Sequence, residues 1–137
     1  MTSGRSDKVL IVEDDMLLSM VAERHIQSMG LQVAGKAVSG EEAVQKAAAL
    51  DPDVIIMDIS LRGAMSGVDA AKQIRKNSQV PVIFLSGSSG ELQKSEAVAI
   101  QHTCFLDKPI TREDLKPHLL AALDGNFPLS KTGDNSD

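Results

Sequence analysis

Tryptophan and tyrosine are absent from this chain of 137 residues, and phenylalanine occurs only three times. The core must therefore be built from Val, Ile, Leu, Met and Ala. A single cysteine, Cys104, rules out an internal disulfide and fits a reducing compartment. Basic residues are outnumbered, 14 Lys and Arg against 19 Asp and Glu. The net charge of −5 argues against a nucleic-acid surface, which needs clustered cations. No apolar run approaches the ~20 residues that span a bilayer, and residues 1–7 lack the apolar centre of a signal peptide. These absences lead to the expectation of a cytoplasmic protein with neither nucleic acid nor membrane as partner. Apolar residues at 42% and charged residues at 24% suit one globular domain of ordinary size.

What is present begins with Val54-Ile55-Ile56-Met57-Asp58, an apolar run that follows Asp51-Pro52-Asp53 and ends in one carboxylate. A continuous run rich in β-branched residues predicts a strand buried on both faces, and such strands belong to parallel sheets. In open parallel sheets the ligand crevice lies beyond the carboxyl ends of the strands. Asp58 stands at that end, placed for chemistry.

A second run, Val9 to Val12, also ends in acid, at Glu13-Asp14-Asp15. Behind it Leu17, Leu18, Val21, Ala22, Ile26 and Met29 recur at helical spacing, predicting an amphipathic helix stopped by Gly30. Residues 31–36 form a short strand expected near a sheet edge. Ser39 and Glu42 have capping-box spacing, and the helix behind them is expected to bury Ala43, Val44, Ala47 and Ala48. A loop from Ile59 to Ser66 leads to a third helix, capped by Ser66 with Asp69. That helix is expected to turn Val68, Ala71 and Ile74 inward and Lys72, Arg75 and Lys76 to water. Val80 to Leu85 predicts another buried strand running into Ser86-Gly87. Ser88 and Glu91 have the spacing of a cap for a helix reaching about Ile100. Thr103 to Leu106 is a fifth strand, followed by Asp107-Lys108-Pro109. Thr111 caps a last helix expected to bury Leu115, Leu119, Leu120 and Leu123. Pro117 falls inside it and removes a bond to the Glu113 carbonyl, at a cost of up to ~3 kcal/mol. His25, His102 and His118 share no ligand spacing, and Cys104 and the methionines read as apolar filler.

Strands alternating with helices predict a doubly wound α/β sheet. Right-handed crossovers bring the carboxyl ends of all its strands to one edge, which collects Glu13, Asp14, Asp15, Asp58, Ser86 and Lys108. Carboxylates gathered in this way repel each other unless a cation joins them. All-oxygen donors suit Mg²⁺, Lys108 adds a mobile positive charge and Ser86 a hydroxyl donor. A metal, a cation and a donor around one carboxylate meet the needs of phosphoryl transfer, in which positioning and charge neutralisation do most of the catalysis. Asp58 is then the nucleophile, forming an acyl phosphate. The plain alternatives are a solvated acidic turn at Glu13 to Asp15, a helix-capping Ser86 and a merely exposed Lys108.

The pieces Val12-Glu13-Asp14-Asp15, Met57-Asp58, Phe84-Leu85-Ser86-Gly87 and Phe105-Leu106-Asp107-Lys108-Pro109 stand in this order on alternating strands. Over residues 8–123 the sequence resembles the receiver domain of two-component response regulators, stand-alone chemotaxis regulators among them. The resemblance implies a flavodoxin-like (βα)5 fold with strand order 2-1-3-4-5. It implies that Asp58 accepts phosphate from a histidine kinase or phosphotransfer protein. Glu13, Asp14, Asp58 and the backbone carbonyl of Ser60 would carry Mg²⁺. Ser86 would contact the phosphoryl group, Lys108 would pair with it, Ser86 and Phe105 would form the switch, and the Lys108–Pro109 bond would be cis. The family usually has Pro four residues after the phosphorylated Asp and Gly eight after. Here Arg62 stands at the first position, and Gly67 comes nine residues after Asp58, so the loop is one residue longer. Phe105 fills a position more often held by Tyr.

Two other functions fit parts of the pattern. A phosphatase of the haloacid dehalogenase type also uses a strand-end Asp with Mg²⁺, but needs a second Asp where Ser60 stands. A pure interaction module would need no phosphorylation. The expected layout is a flexible N-terminus at residues 1–7, a receiver domain at 8–124 and a disordered tail at 125–137. The tail is too short for a second domain. Such a domain is no enzyme beyond its own phosphorylation and dephosphorylation, and would signal by touching another protein.

Overall fold

Each apolar run becomes a strand. The computed structural model describes residues 7–87 and 91–128, apart from the side chains of 91–93. In it β1 (Lys8–Val12), β2 (Gln32–Ala37), β3 (Val54–Asp58), β4 (Val82–Ser86) and β5 (Thr103–Asp107) alternate with helices. The helices are α1 (Met16–Ser28), α2 (Gly40–Leu50), α3 (Gly67–Arg75), α4 (Glu91–Ala97) and α5 (Arg112–Asp124). The strands are all parallel in the order β2-β1-β3-β4-β5, as the resemblance implied. β3 lies at the centre, with Ile56 paired to Ile11 on one side and to Ile83 on the other.

Alternation along β3 feeds two cores. Val54 and Ile56 pack with Ala22 and Ile26 of α1 and Leu115 and Leu119 of α5. Ile55 and Met57 pack with Ala43 of α2, Val68, Ala71 and Ile74 of α3 and Ala97 of α4. With both faces covered, every residue from Val54 to Asp58 is buried, which is why no polar residue interrupts the run.

The helices correct several expectations. In α1 the buried residues are Ser19, Ala22 and Ile26, whereas Leu17 and Met16 are 68% and 77% exposed and Leu18 and Val21 also face outward. Asp15 accepts the Leu18 N–H at 3.0 Å and so fixes where the first turn begins. That phase turns the Leu17 face away from the sheet. The methionines therefore divide: Met57 is buried in the core, while Met16 and Met20 are exposed. Ala48 and Leu120 are likewise exposed, not core. Glu42 reaches back to the N–H of Val38, at 2.8 Å, one residue before the expected Ser39. Arg75 is not a water-facing charge. Its guanidinium donates to the carbonyls of Ser78, Val80, Gln101 and His102 and ties the turn before β4 to the turn before β5. The α4 helix ends at Ala97 and not at Ile100, β4 begins two residues later than expected, at Val82, and α5 runs through Pro117. The expected Ser88 cap and residues 1–6 and 129–137 lie outside the described residues.

Candidate functional site

The three consecutive acids after β1 divide their work. The backbone of Glu13 continues the sheet by donating to Ala37 O at 3.0 Å, which draws its side chain into the interior. Asp15 caps α1 and donates its own N–H to Glu13 Oε2 at 3.1 Å. Asp14, between them, leans over the edge and is held by Arg62. The Arg62 backbone N–H and its Nε both donate to Asp14 Oδ2, each at 3.1 Å.

Asp58 sits beside this turn because β1 and β3 are neighbours in register, Val12 opposite Met57. The Ser60 N–H donates to Asp58 Oδ1 at 2.9 Å. From the other side Lys108 Nζ lies 3.2 Å from Asp58 Oδ2 and 3.3 Å from Glu13 Oε1. Lys108 is brought there by its own N–H, which extends the ladder to Ser86 O at 2.9 Å, just before the cis Lys108–Pro109 bond. Ser86 is buried one residue beyond Leu85, the register partner of Asp58, and its hydroxyl donates to Gly87 O at 3.3 Å. Thus Glu13, Asp14, Asp58, Ser86 and Lys108 share one sheet edge, as the topology required; Asp15 stands beside them as the cap of α1, and Ser60, named by the resemblance, joins through its backbone N–H. Phe105 is set back by one register step: opposite Phe84, it stacks on it at 5.5 Å between centroids, with Lys94 Nζ 5.4 Å above its ring.

Glu13, Asp14 and Asp58 each offer an oxygen, and these atoms lie within 4.8 Å of one another. At that separation two full charges repel by at least about 3 kcal/mol, taking an effective dielectric of about 20. The ionisation of the group reflects it. Burial pushes the Glu13 carboxyl up and the Asp58 charge adds to this, more than the Asp15 N–H and the Lys108 ammonium take back. Burial would also raise Asp14, but the two bonds from Arg62 outweigh it and hold that carboxyl below its usual range. Burial would lower Lys108, and the charges of Asp58 and Glu13 overcome it, so its ammonium is held more firmly than usual. Among the described residues two protein cations thus face three carboxylates, and one negative charge is left over. A set of hard oxygen donors with residual negative charge fits a divalent cation such as Mg²⁺, which commonly takes one or two carboxylates and completes its shell with water. Sequence reasoning noted Arg62 only as a departure from a family pattern. Its partner lies 48 residues away, and a lone cation in the loop after Asp58 was the available signal.

A family model described as the response regulator receiver domain matches residues 9–120. The chemotaxis protein CheY of Thermotoga maritima is 36% identical over 103 residues, covering 74% of this chain and 85% of that protein. The YrkP transcriptional regulatory protein of Bacillus subtilis is 32% identical over 116 residues, 85% of this chain, which spans about half (49%) of that protein's length. Among solved structures, the signal receiver domain of a modulated diguanylate cyclase from Desulfovibrio desulfuricans superposes with a TM-score of 0.82 at 31% identity, covering 89% of this chain and 97% of that one. The receiver domain of a sensor histidine kinase from Pseudomonas aeruginosa, with magnesium coordinated in its active-site cleft, gives 0.78 at 26% identity, covering 88% and 99%. Sheet order, strand-end acids and a family match over most of the chain converge: it belongs to the response regulator receiver domain family of two-component signalling.

Proposed function

We propose that Asp58 accepts a phosphoryl group from a histidine kinase or phosphotransfer protein, and that the phosphorylated domain signals by contact with another protein. The observation that carries this is the placement of the Asp58 carboxylate. It ends the central strand, only 5% exposed, between the Lys108 ammonium and the acids Glu13 and Asp14. The Ser60 N–H on Oδ1 and Lys108 on Oδ2 fix the plane of the carboxylate. A nucleophile held in one orientation needs little reorganisation before attack.

As the donor's P–N bond breaks and the Asp58 O–P bond forms, Lys108 can follow the negative charge from the carboxylate to the phosphoryl oxygens. Ser86, one register step away, can turn its hydroxyl from the Gly87 carbonyl to the same oxygens. Glu13, Asp14, Asp58 and the backbone carbonyl of Ser60 would hold Mg²⁺, whose bound charge would offset that of the incoming phosphoryl group. The phosphatase alternative loses ground because Ser60, in place of a second Asp, offers Asp58 a backbone N–H and no acid. No helix among the described residues is long and apolar enough to cross a membrane. Transcriptional regulators among the relatives are longer than this chain, and the output proposed for the part described here is a protein contact.

The test is incubation with a small phosphodonor and Mg²⁺, read by intact mass. One phosphoryl group should be added to the wild type and none to Asp58→Asn. Steady hydrolysis of a phosphate ester over many turnovers, or an unaltered yield in Asp58→Asn, would overturn the assignment.

A further inference from the structure

Resting on the proposed metal site, we propose that Arg62 is a built-in competitor of the divalent cation: its guanidinium holds Asp14 while the site is free of metal and is displaced from it when the cation enters.

Four observations support this. First, Asp14 Oδ2 takes the Arg62 backbone N–H and its guanidinium Nε, so one of the two oxygens of this candidate ligand is already paired with positive charge. Second, the three carboxylates are shared between two protein cations. Lys108 bridges Glu13 and Asp58, which leaves Arg62 the charge neutralising Asp14. A divalent ion bound at Asp14 brings two more positive charges to the position the guanidinium faces, and like charges at such range repel. Third, the Arg62 side chain is 82% exposed. Leaving Asp14, itself 16% exposed, costs the guanidinium little burial, and an ion pair open to water on its arginine side is weak enough for a divalent cation to break.

Fourth, the loop is built so that its middle can move without its ends. Ile59 and Leu61 are buried on one side, and on the other Ser66 caps α3 while Met65 packs on Gly40 at the start of α2. Between them Arg62, Gly63 and Ala64 are exposed, and Gly63 turns with φ of +106°, a conformation glycine adopts freely. Arg62 therefore sets how tightly the site takes metal, and metal uptake frees the guanidinium while the Arg62 backbone N–H can stay on Asp14.

The experiment is calorimetric titration of the full chain with Mg²⁺, alongside amide and guanidinium Nε–H resonances followed by NMR. If Arg62 competes, Arg62→Ala binds Mg²⁺ more tightly, on the order of threefold to fivefold, the size expected for losing one exposed ion pair. Arg62→Lys, which keeps the charge, falls between the two. In the wild type the Arg62 Nε–H resonance moves as Mg²⁺ is added. Weaker or unchanged affinity in Arg62→Ala shows that Arg62 positions Asp14 or ignores the metal, and overturns the proposal while leaving the metal site standing. Absence of Mg²⁺ binding in every variant overturns both, whereas loss of binding in Asp14→Asn alone confirms the site independently of Arg62.

Discussion

Gly67, the first residue of α3, lies so close to Asp58 that a Cβ on it would overlap the Asp58 carbonyl oxygen and stand 3.0 Å from the Ile59 Cα. Both obstacles are backbone, so neither can swing aside. The family spacing places this glycine one residue earlier. Here the longer loop still delivers Gly67 to the same strand end, with residues 62–64 left exposed.

Gly67→Ala is therefore expected to destabilise the domain by about 1–3 kcal/mol, the usual cost of overpacking. Urea denaturation should show a lower midpoint, and cleavage of the phosphodonor should slow because Asp58 must shift. Gly87→Ala is the control. A Cβ there meets nothing within 4 Å, and its stability should stay within about 0.5 kcal/mol of wild type. Equal stability of the two variants would mean that the Gly67 contact relaxes freely.

The second prediction concerns the leftover negative charge. A ligand bound only by the folded state stabilises it by RT ln(1 + [L]/Kd), about 2.7 kcal/mol at a hundredfold excess over Kd. Mg²⁺ should raise the thermal midpoint of the wild type and do little for Asp14→Ala, which lacks one of the three oxygens. Equal shifts in both proteins would place the ion elsewhere.

The sheet was legible because buried parallel strands read as unbroken apolar runs, and the short length of Val54 to Asp58, its β-branched residues and the Pro52 before it favour a strand over a buried helix turn. The edge cluster then followed from topology alone. Helix faces were less legible. The α1 helix carries apolar residues on two sides, so periodicity could not distinguish the Ala22–Ile26 side from that of Leu17 and Val21; the Asp15 cap decides it. Long side chains with distant partners were not legible at all. Arg75 looks like a surface charge until the turns near Ser78 and His102 fold around it. Arg62 finds Asp14 only after β1 and β3 pair.

Cys104 supplies a pH prediction. Burial in β5 pushes its thiol up to about 12, and only the thiolate alkylates. At pH 8 a thiol of that acidity is ionised to about one part in ten thousand, against about a quarter for an ordinary cysteine near 8.5. Iodoacetamide should therefore label the folded protein roughly a thousandfold more slowly than the urea-unfolded chain. The folded rate should still be climbing about tenfold per pH unit at pH 10, where the unfolded rate has levelled off. Similar rates in both states would mean that the β5 environment does not hold the proton on the thiol.

The last prediction joins Ser86 to Phe105. In the unphosphorylated domain the Ser86 hydroxyl holds the Gly87 carbonyl at 3.3 Å, a long bond. Phosphoryl oxygens on Asp58 would be charged acceptors, roughly twice as strong as a neutral carbonyl. Ser86 should turn to them and release the segment that starts at Gly87 and leads into α4. Phe105 is stacked on Phe84 and covered by Lys94 of α4. An aromatic pair contributes about 0.5–1.5 kcal/mol and a cation–π contact between half-buried partners about 0.5–2 kcal/mol. Two-state switches carry about 1–3 kcal/mol of coupling, enough to overcome either contact. Phe105 should then repack, and Lys94 should lose its place above the ring. Amide shifts on adding a phosphoryl mimic should spread in the wild type from Asp58 through Gly87 to Lys94, Ala97 and Phe105. In Ser86→Ala they should stop near Asp58. In Phe105→Ala they should reach Gly87 but fade across α4. A wild-type response confined to the neighbours of Asp58, or an unchanged response around Phe105 in Ser86→Ala, would show that the phosphorylation site and the α4–β5 face are not coupled through these two residues.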